Sequence, residues 1–120
     1  MKIIKINNKE YVIKFTSQVI KELSSKKITL NSLINDLQDL KVDGLYDTFF
    51  YGLKTMQHGI TEEQALSVID EYYNEDESHD LEKFFELIIE EYSSAMGLGK
   101  MFKEEMKKQQ ATEEKGKIIE

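Results

Sequence analysis

The loop from Asn74 to Asp80 contains the residue types that could bind a calcium ion. Its oxygen-bearing side chains fall at the first, third, fifth and seventh positions of an EF-hand loop. However, His79 stands where that loop needs glycine, and Phe85 stands where it needs a bidentate glutamate. We therefore interpret these residues as a solvated turn between two helices, and we expect no metal site.

The chain offers few other groups that could do acid–base or nucleophilic chemistry. Of its two histidines, His79 lies in the polar loop, and His58 is predicted to lie in the last turn of a helix. A positive charge on His58 would interact favourably with the helix dipole there. The sequence has no cysteine, no His-x-x-x-His pair, no glycine-rich phosphate loop and no serine in a nucleophile elbow. We predict that the protein is not an enzyme and that it binds no cofactor.

Residues 59–92 are predicted to form two helices that flank this loop. Thr61 and Gln64 have the spacing of a capping box, and the second helix starts near Asp80. The stretch has twelve acidic residues and one lysine, a balance of −11, and helical spacing places most of the carboxylates outward. The residues predicted to face inward are apolar and recur at helical spacing: Ala65, Leu66, Ile69, Tyr72, Tyr73, Leu81, Phe84, Phe85, Ile88 and Tyr92.

The preceding residues predict a β-hairpin and three helices. Strands are expected over residues 2–6 and 10–15, joined by a turn at Asn7 and Asn8, because asparagine tolerates positive φ. The helices are expected to start at Thr16 or Ser17, at Thr29 or Asn31, and at Asp43, the last one ending at Gly59. Their predicted inward residues are Val19, Ile20, Leu23, Leu30, Leu33, Ile34, Leu37, Leu40, Leu45, Tyr46, Phe49, Phe50, Leu53 and Met56. Gly52, inside the third helix, predicts close approach by a neighbouring helix or strand.

The composition is that of one folded, mainly α domain. We predict a compact bundle of about five helices with an N-terminal β-hairpin, because 120 residues suffice for one core and the absence of proline suits uninterrupted helices. All sixteen basic residues are lysine and the net charge is −7, which argues against nucleic-acid binding. The sequence shows neither an apolar run of about 18 residues nor a signal-peptide pattern, so we expect no membrane association and a cytosolic protein.

The C-terminal part is predicted to differ from the rest. Residues 1–99 form the helical domain with its hairpin, and residues 100–120 form a semi-detached helix followed by a polar, disordered end. Methionines and aromatic residues on such a helix, after a break at two glycines, are typical of adaptable protein-binding surfaces. The candidate partner-binding residues are Met96, Leu98, Met101, Phe102 and Met106. The alternative is that this segment folds back as the last helix of the core.

Three stretches of the sequence resemble the small tail assembly chaperones of long-tailed (siphovirus-type) phages and prophages of Gram-positive bacteria. They are INNKEYVIKFTSQVIKEL, YGLKTMQHGITEEQALSVIDEYY and DLEKFFELIIEEYSSAMGLGK. The residues that fit the family's pattern are Ile6, Asn7, Lys9, Tyr11, Ile13, Phe15, Tyr51, Gly52, Leu53, Thr61, Glu62, Glu63, Ile69, Asp70 and Tyr72. The chain departs from the pattern in two places: Asn8 replaces a glycine, and Tyr51 and Gly52 adjoin where the pattern has one residue between them. The resemblance covers roughly residues 3–100.

This resemblance implies a non-enzymatic assembly helper. Such proteins bind the tape-measure protein and the tail-tube protein in the bacterial cytoplasm and are absent from the mature virion. The sequence leaves self-association open. Two alternatives to a chaperone are a small helical head–tail connector or neck protein, which would stay in the virion, and a regulatory protein-binding module.

Overall fold

The chain begins with a hairpin whose turn is formed by two asparagines. In the computed structural model, which describes residues 1–98, strand β1 (Lys2–Ile6) pairs antiparallel with β2 (Lys9–Ile13), with Ile6 opposite Lys9. Asn7 and Asn8 have φ angles of 51° and 66°, which is the left-handed geometry of a type I′ turn. The predicted hairpin and its turn are confirmed.

Five helices follow within residues 1–98, so the predicted mainly α fold is confirmed. They are α1 (Ser17–Ser25), α2 (Leu30–Gln38), α3 (Asp43–Lys54), α4 (Glu62–Glu75) and α5 (Leu81–Ala95). Four of them start at a side-chain cap that accepts a hydrogen bond from a backbone N–H of the first turn: Thr16, Thr29, Thr61 and Asp80. Thr61 and Gln64 form the predicted capping box. None of these helices is long and apolar enough to span a membrane.

Helices α1, α2 and α5 each end in a Schellman motif, in which a left-handed residue turns the chain back over the last carbonyls. The left-handed residues are Lys27, Leu40 and Gly97, with φ of 67°, 56° and 77°. The prediction that Leu40 lies in the core is wrong, because its place after the end of α2 leaves the side chain 74% exposed. A left-handed conformation costs a residue other than glycine about 1–2 kcal/mol.

Helix α3 is shorter than predicted. It ends at Lys54, after which Met56 N–H bonds to Leu53 O at 3.3 Å, a tightened last turn. Met56 is therefore 47% exposed rather than buried, and His58 lies in the following loop instead of the helix. Gly59 has positive φ (87°), but it lies in that loop and not at the end of the helix.

The apolar stripe of α4 is rotated from the predicted one. Its buried residues are Ala65, Val68, Ile69 and Tyr72, and Leu66 is 41% exposed. The spacing of this stripe is as regular as that of the predicted set, so periodicity alone could not choose between the two. The prediction that Leu66 faces inward is wrong.

The core lies between one face of the hairpin and helices α3, α4 and α5, and α1 and α2 add Leu23 and Leu33 to it. At its centre the Phe84 ring lies 5.2–5.9 Å from four aromatic rings, two on α3 and two on α4. On the hairpin side, Lys14 N–H bonds to Gly52 O at 3.1 Å, which brings the end of β2 against α3. The close approach predicted at Gly52 is confirmed.

Candidate functional site

The predicted partner-binding segment begins at the end of α5. Leu98 N–H donates to Ser93 O at 2.8 Å and Gly97 N–H donates to Ser94 O at 3.0 Å, so α5 stops and the chain turns. Met96 is 42% exposed at this turn, whereas Leu98 is partly buried. The structure thus places two of the five predicted contact residues side by side. The other three, Met101, Phe102 and Met106, lie outside the described residues, as does Gly99.

The base of this turn is firmly held. Tyr92, in the last turn of α5, is 1% exposed and its ring meets the Phe15 ring edge-on, with centroids 5.3 Å apart. On the same helix Glu91 pairs with the amino group of Met1, and Glu90 Oε2 lies 3.5 Å from Lys2 Nζ. Met96 is therefore presented from a rigid end of the domain, fixed to the hairpin.

Two carboxylates of the acidic loop after α4 accept hydrogen bonds from backbone N–H groups and so fix the conformation of the loop. Asp76 Oδ1 accepts a hydrogen bond from Ser78 N–H at 2.8 Å, and this bond and one from the Ser78 side chain lower the pKa of Asp76. Asp80 Oδ1 caps α5 by accepting from Lys83 N–H at 2.9 Å. Among residues 1–98 there is no group of three or more acidic or histidine side chains arranged to hold a metal ion.

His79 closes this loop against α4, a role that its sequence context did not reveal. Its ring stacks on Tyr72, with centroids 4.2 Å apart and planes 4° apart. Its Nδ1 lies 2.8 Å from Tyr72 O, and because a carbonyl only accepts, Nδ1 carries the proton. Within residues 1–98 neither histidine is paired with a nucleophile, since His79 bonds to a backbone carbonyl and His58 is exposed in its loop.

A second surface combines aromatic and basic side chains between α1 and α3. Lys26 Nζ lies 4.9 Å from the Tyr51 ring centroid, and Lys54 Nζ lies 5.5 Å from the same centroid. A hydrogen bond to Tyr51 raises the pKa of Lys26. This arrangement was not predicted from the sequence. The signal available was Tyr51 and Lys54 at helical spacing, whereas the contribution of Lys26 depends on tertiary packing.

The chain matches one family of known proteins over most of its length. Residues 3–111 match the family model described as phage tail assembly chaperone protein, TAC. The matched range includes the hairpin, all five described helices and the predicted contact residues up to Met106. No curated protein and no solved structure matches the chain.

Proposed function

Because this chain belongs to the phage tail assembly chaperone family, a non-enzymatic family, we propose that it binds the tape-measure and tail-tube proteins while a phage tail is built. We propose further that it works in the bacterial cytoplasm and is left out of the finished particle. The sequence resemblance to chaperones of long-tailed phages and prophages of Gram-positive bacteria supports the choice of partners and of phage type.

The observation that carries this proposal is the exposed end of α5. An assembly chaperone must hold an apolar surface of another protein reversibly, and it therefore needs an accessible apolar contact of its own. Met96 provides the first such residue, at the point where Gly97 turns the chain out of α5. We propose that Met96, Leu98, Met101, Phe102 and Met106 together form the partner contact. The family match supports this segment, because it continues to residue 111.

The charge of the domain suits the same role. Residues 59–92 carry a balance of −11 next to this apolar contact. Like-charged complexes repel one another, so a chaperone with this body would keep an aggregation-prone partner dispersed. Methionine side chains are flexible and polarizable, which suits contact with more than one partner surface.

The contact segment can be tested by truncation and co-expression with the tape-measure protein. A chain ending at Leu98 keeps the Schellman motif of α5, so we expect it to fold like the full chain. The soluble fraction of the tape-measure protein should fall several-fold with this chain relative to the full one. A chain that lacks only residues 109–120 is the control, and it should keep the partner soluble.

Two results would contradict this placement of the contact. If the chain ending at Leu98 loses its circular-dichroism helix signal or its cooperative thermal transition, the segment is part of the core. If that chain folds and still keeps the partner soluble, the contact lies elsewhere on the domain. A full-length chain in which Met101, Phe102 and Met106 are all changed to serine is the second variant. It separates the effect of losing the apolar contact from the effect of shortening the chain.

A further inference from the structure

A cleft of about 530 Å³ lies between β2, the α3–α4 loop and α4. Tyr11 and Lys9 line it from β2, and Ile60 lines it from the loop. Val68 and Glu71 line it from α4. Gly59, also in its wall, has open space where a side chain would start, so another chain can approach the backbone closely there.

Glu71 is the one acid among the residues that line the cleft, and its carboxylate is incompletely satisfied. Its Oε2 atom is buried and accepts no hydrogen bond from any group in residues 1–98. A buried acceptor without a donor is costly, and an ionised carboxylate more so than a neutral group. A cation that a binding partner brings to this carboxylate would stabilise its charge and so reduce that cost. The best donor for a carboxylate is a cationic nitrogen, because charge-assisted hydrogen bonds are the strong ones.

The walls of the cleft suit the rest of such a side chain. Ile60 and Val68 offer apolar surface, and Tyr11 offers an aromatic ring. Lysine and arginine have long methylene stems that bury well against apolar surface while the charged head finds a polar partner. The charge balance of −11 over residues 59–92 favours the approach of a basic group to this side of α4.

We propose that this cleft binds a lysine or arginine side chain of a tail protein, whose cationic head pairs with the Glu71 carboxylate. The identity of the partner rests on the proposed chaperone function, whereas the chemistry of the cleft does not. Lys9 lies in the same wall and makes no ion pair with any of residues 1–98. Its ammonium is a second cation in this wall, and it therefore competes with an incoming cationic side chain for the cleft.

The test uses the full chain labelled with ¹⁵N and N-acetyl-arginine amide as the probe. Amide shifts should change around Ile60, Val68 and Glu71, and the neutral N-acetyl-glutamine amide should produce at least tenfold weaker changes. Glu71→Gln keeps the shape of the side chain and removes its charge, so it should weaken arginine binding about tenfold or more. Glu63→Gln is the matched control, because this exposed glutamate on the same helix lies outside the cleft. Lys9→Gln removes the competitor and should strengthen binding.

Three results would overturn the proposal. The first is an absence of shifts at the cleft, and the second is equal probe binding by Glu71→Gln and the unchanged chain. The third combines two observations: Lys9→Gln and Glu71→Gln lose thermal stability equally, and Lys9→Gln gains no probe binding. This result would mean that Glu71 forms an internal ion pair with Lys9. If the probe does not bind but co-expression still keeps the tape-measure protein soluble, only the cleft proposal is wrong. If the probe binds as described but co-expression does not keep the tape-measure protein soluble, the proposed partner is wrong and the proposed chemistry of the cleft is not affected.

Discussion

Phe84→Ala is expected to destabilise the domain more than any other substitution considered for this chain. The Phe84 side chain is 1% exposed and has the rings of Tyr46, Phe49, Tyr72 and Tyr73 around it. Truncating a buried phenylalanine to alanine costs about 3–5 kcal/mol, and a domain has about 5–15 kcal/mol of stability in total. Thermal unfolding followed by circular dichroism should show a midpoint lower by roughly 10 °C or more.

Phe50→Ala is the matched comparison for this prediction. Phe50 lies on α3, is only partly buried, and its ring contacts Tyr51 and the ammonium of Lys54. The same truncation should therefore cost clearly less there. Equal midpoints for the two variants would mean that Phe84 is not at the centre of the core. Phe84→Leu, which keeps most of the apolar volume, should fall between Phe84→Ala and the unchanged chain.

Gly52→Ala is expected to destabilise the domain although alanine is the better helix former. A Cβ atom at this position would lie 2.8 Å from Ile13 Cγ2 and 2.9 Å from Phe15 Cζ, closer than carbon atoms can approach. Ile13 is fully buried and the Phe15 ring is held against Tyr92, so neither can move away freely. Overpacking costs about 1–3 kcal/mol, of which the helix propensity of alanine recovers about 1 kcal/mol.

Gly44→Ala gives the control for that prediction on the same helix. A Cβ atom there would lie 3.3 Å from Leu33 Cδ2 and 3.4 Å from Asp36 Oδ2, so shifts of a few tenths of an ångström in these side chains would accommodate it. The substitution should be neutral or stabilise the domain by up to about 1 kcal/mol. Denaturant titrations of both variants measure the difference. A Gly52→Ala chain as stable as the Gly44→Ala chain would contradict the close contact between β2 and α3.

Features set by neighbouring residues could be predicted from the sequence. The turn at Asn7 and Asn8 depends on two residues that tolerate positive φ. The capping box of Thr61 and Gln64 depends on residues three apart, and so does the cap that Asp80 gives to α5. Such interactions are complete within one turn of chain, and the local sequence therefore determines them.

The features that the sequence mispredicted depend on how the elements pack. Leu66 and Val68 are both apolar residues on α4, and only contact with the core decides that Val68 is buried and Leu66 exposed. Leu40 continued the periodic pattern of α2, yet the helix had already ended in a left-handed turn that sequence rules assign to glycine. Met56 lost its predicted burial because α3 stops at Lys54.

The candidate sites also combine features that the local sequence predicts with features that depend on packing. The glycine break after α5 was visible in the sequence, and the structure shows how Gly97 turns the chain and how Leu98 N–H returns to Ser93 O. The cleft at Glu71 had no sequence signal, because β2 is far along the chain from the loop and helix that form its other walls. The stacking of His79 on Tyr72 likewise joins a loop to the helix before it, and no residue spacing identified it.

The central claim, that this chain accompanies tail proteins only during assembly, is tested most directly in phage-producing cells. The tape-measure protein would be isolated from those cells before tails are complete, and its associated chains would be counted by quantitative mass spectrometry beside those of purified particles. The account predicts this chain on the unassembled tape-measure protein and none in the particles. A fixed copy number in finished particles, with none on the unassembled tape-measure protein, would contradict it and would indicate a structural connector.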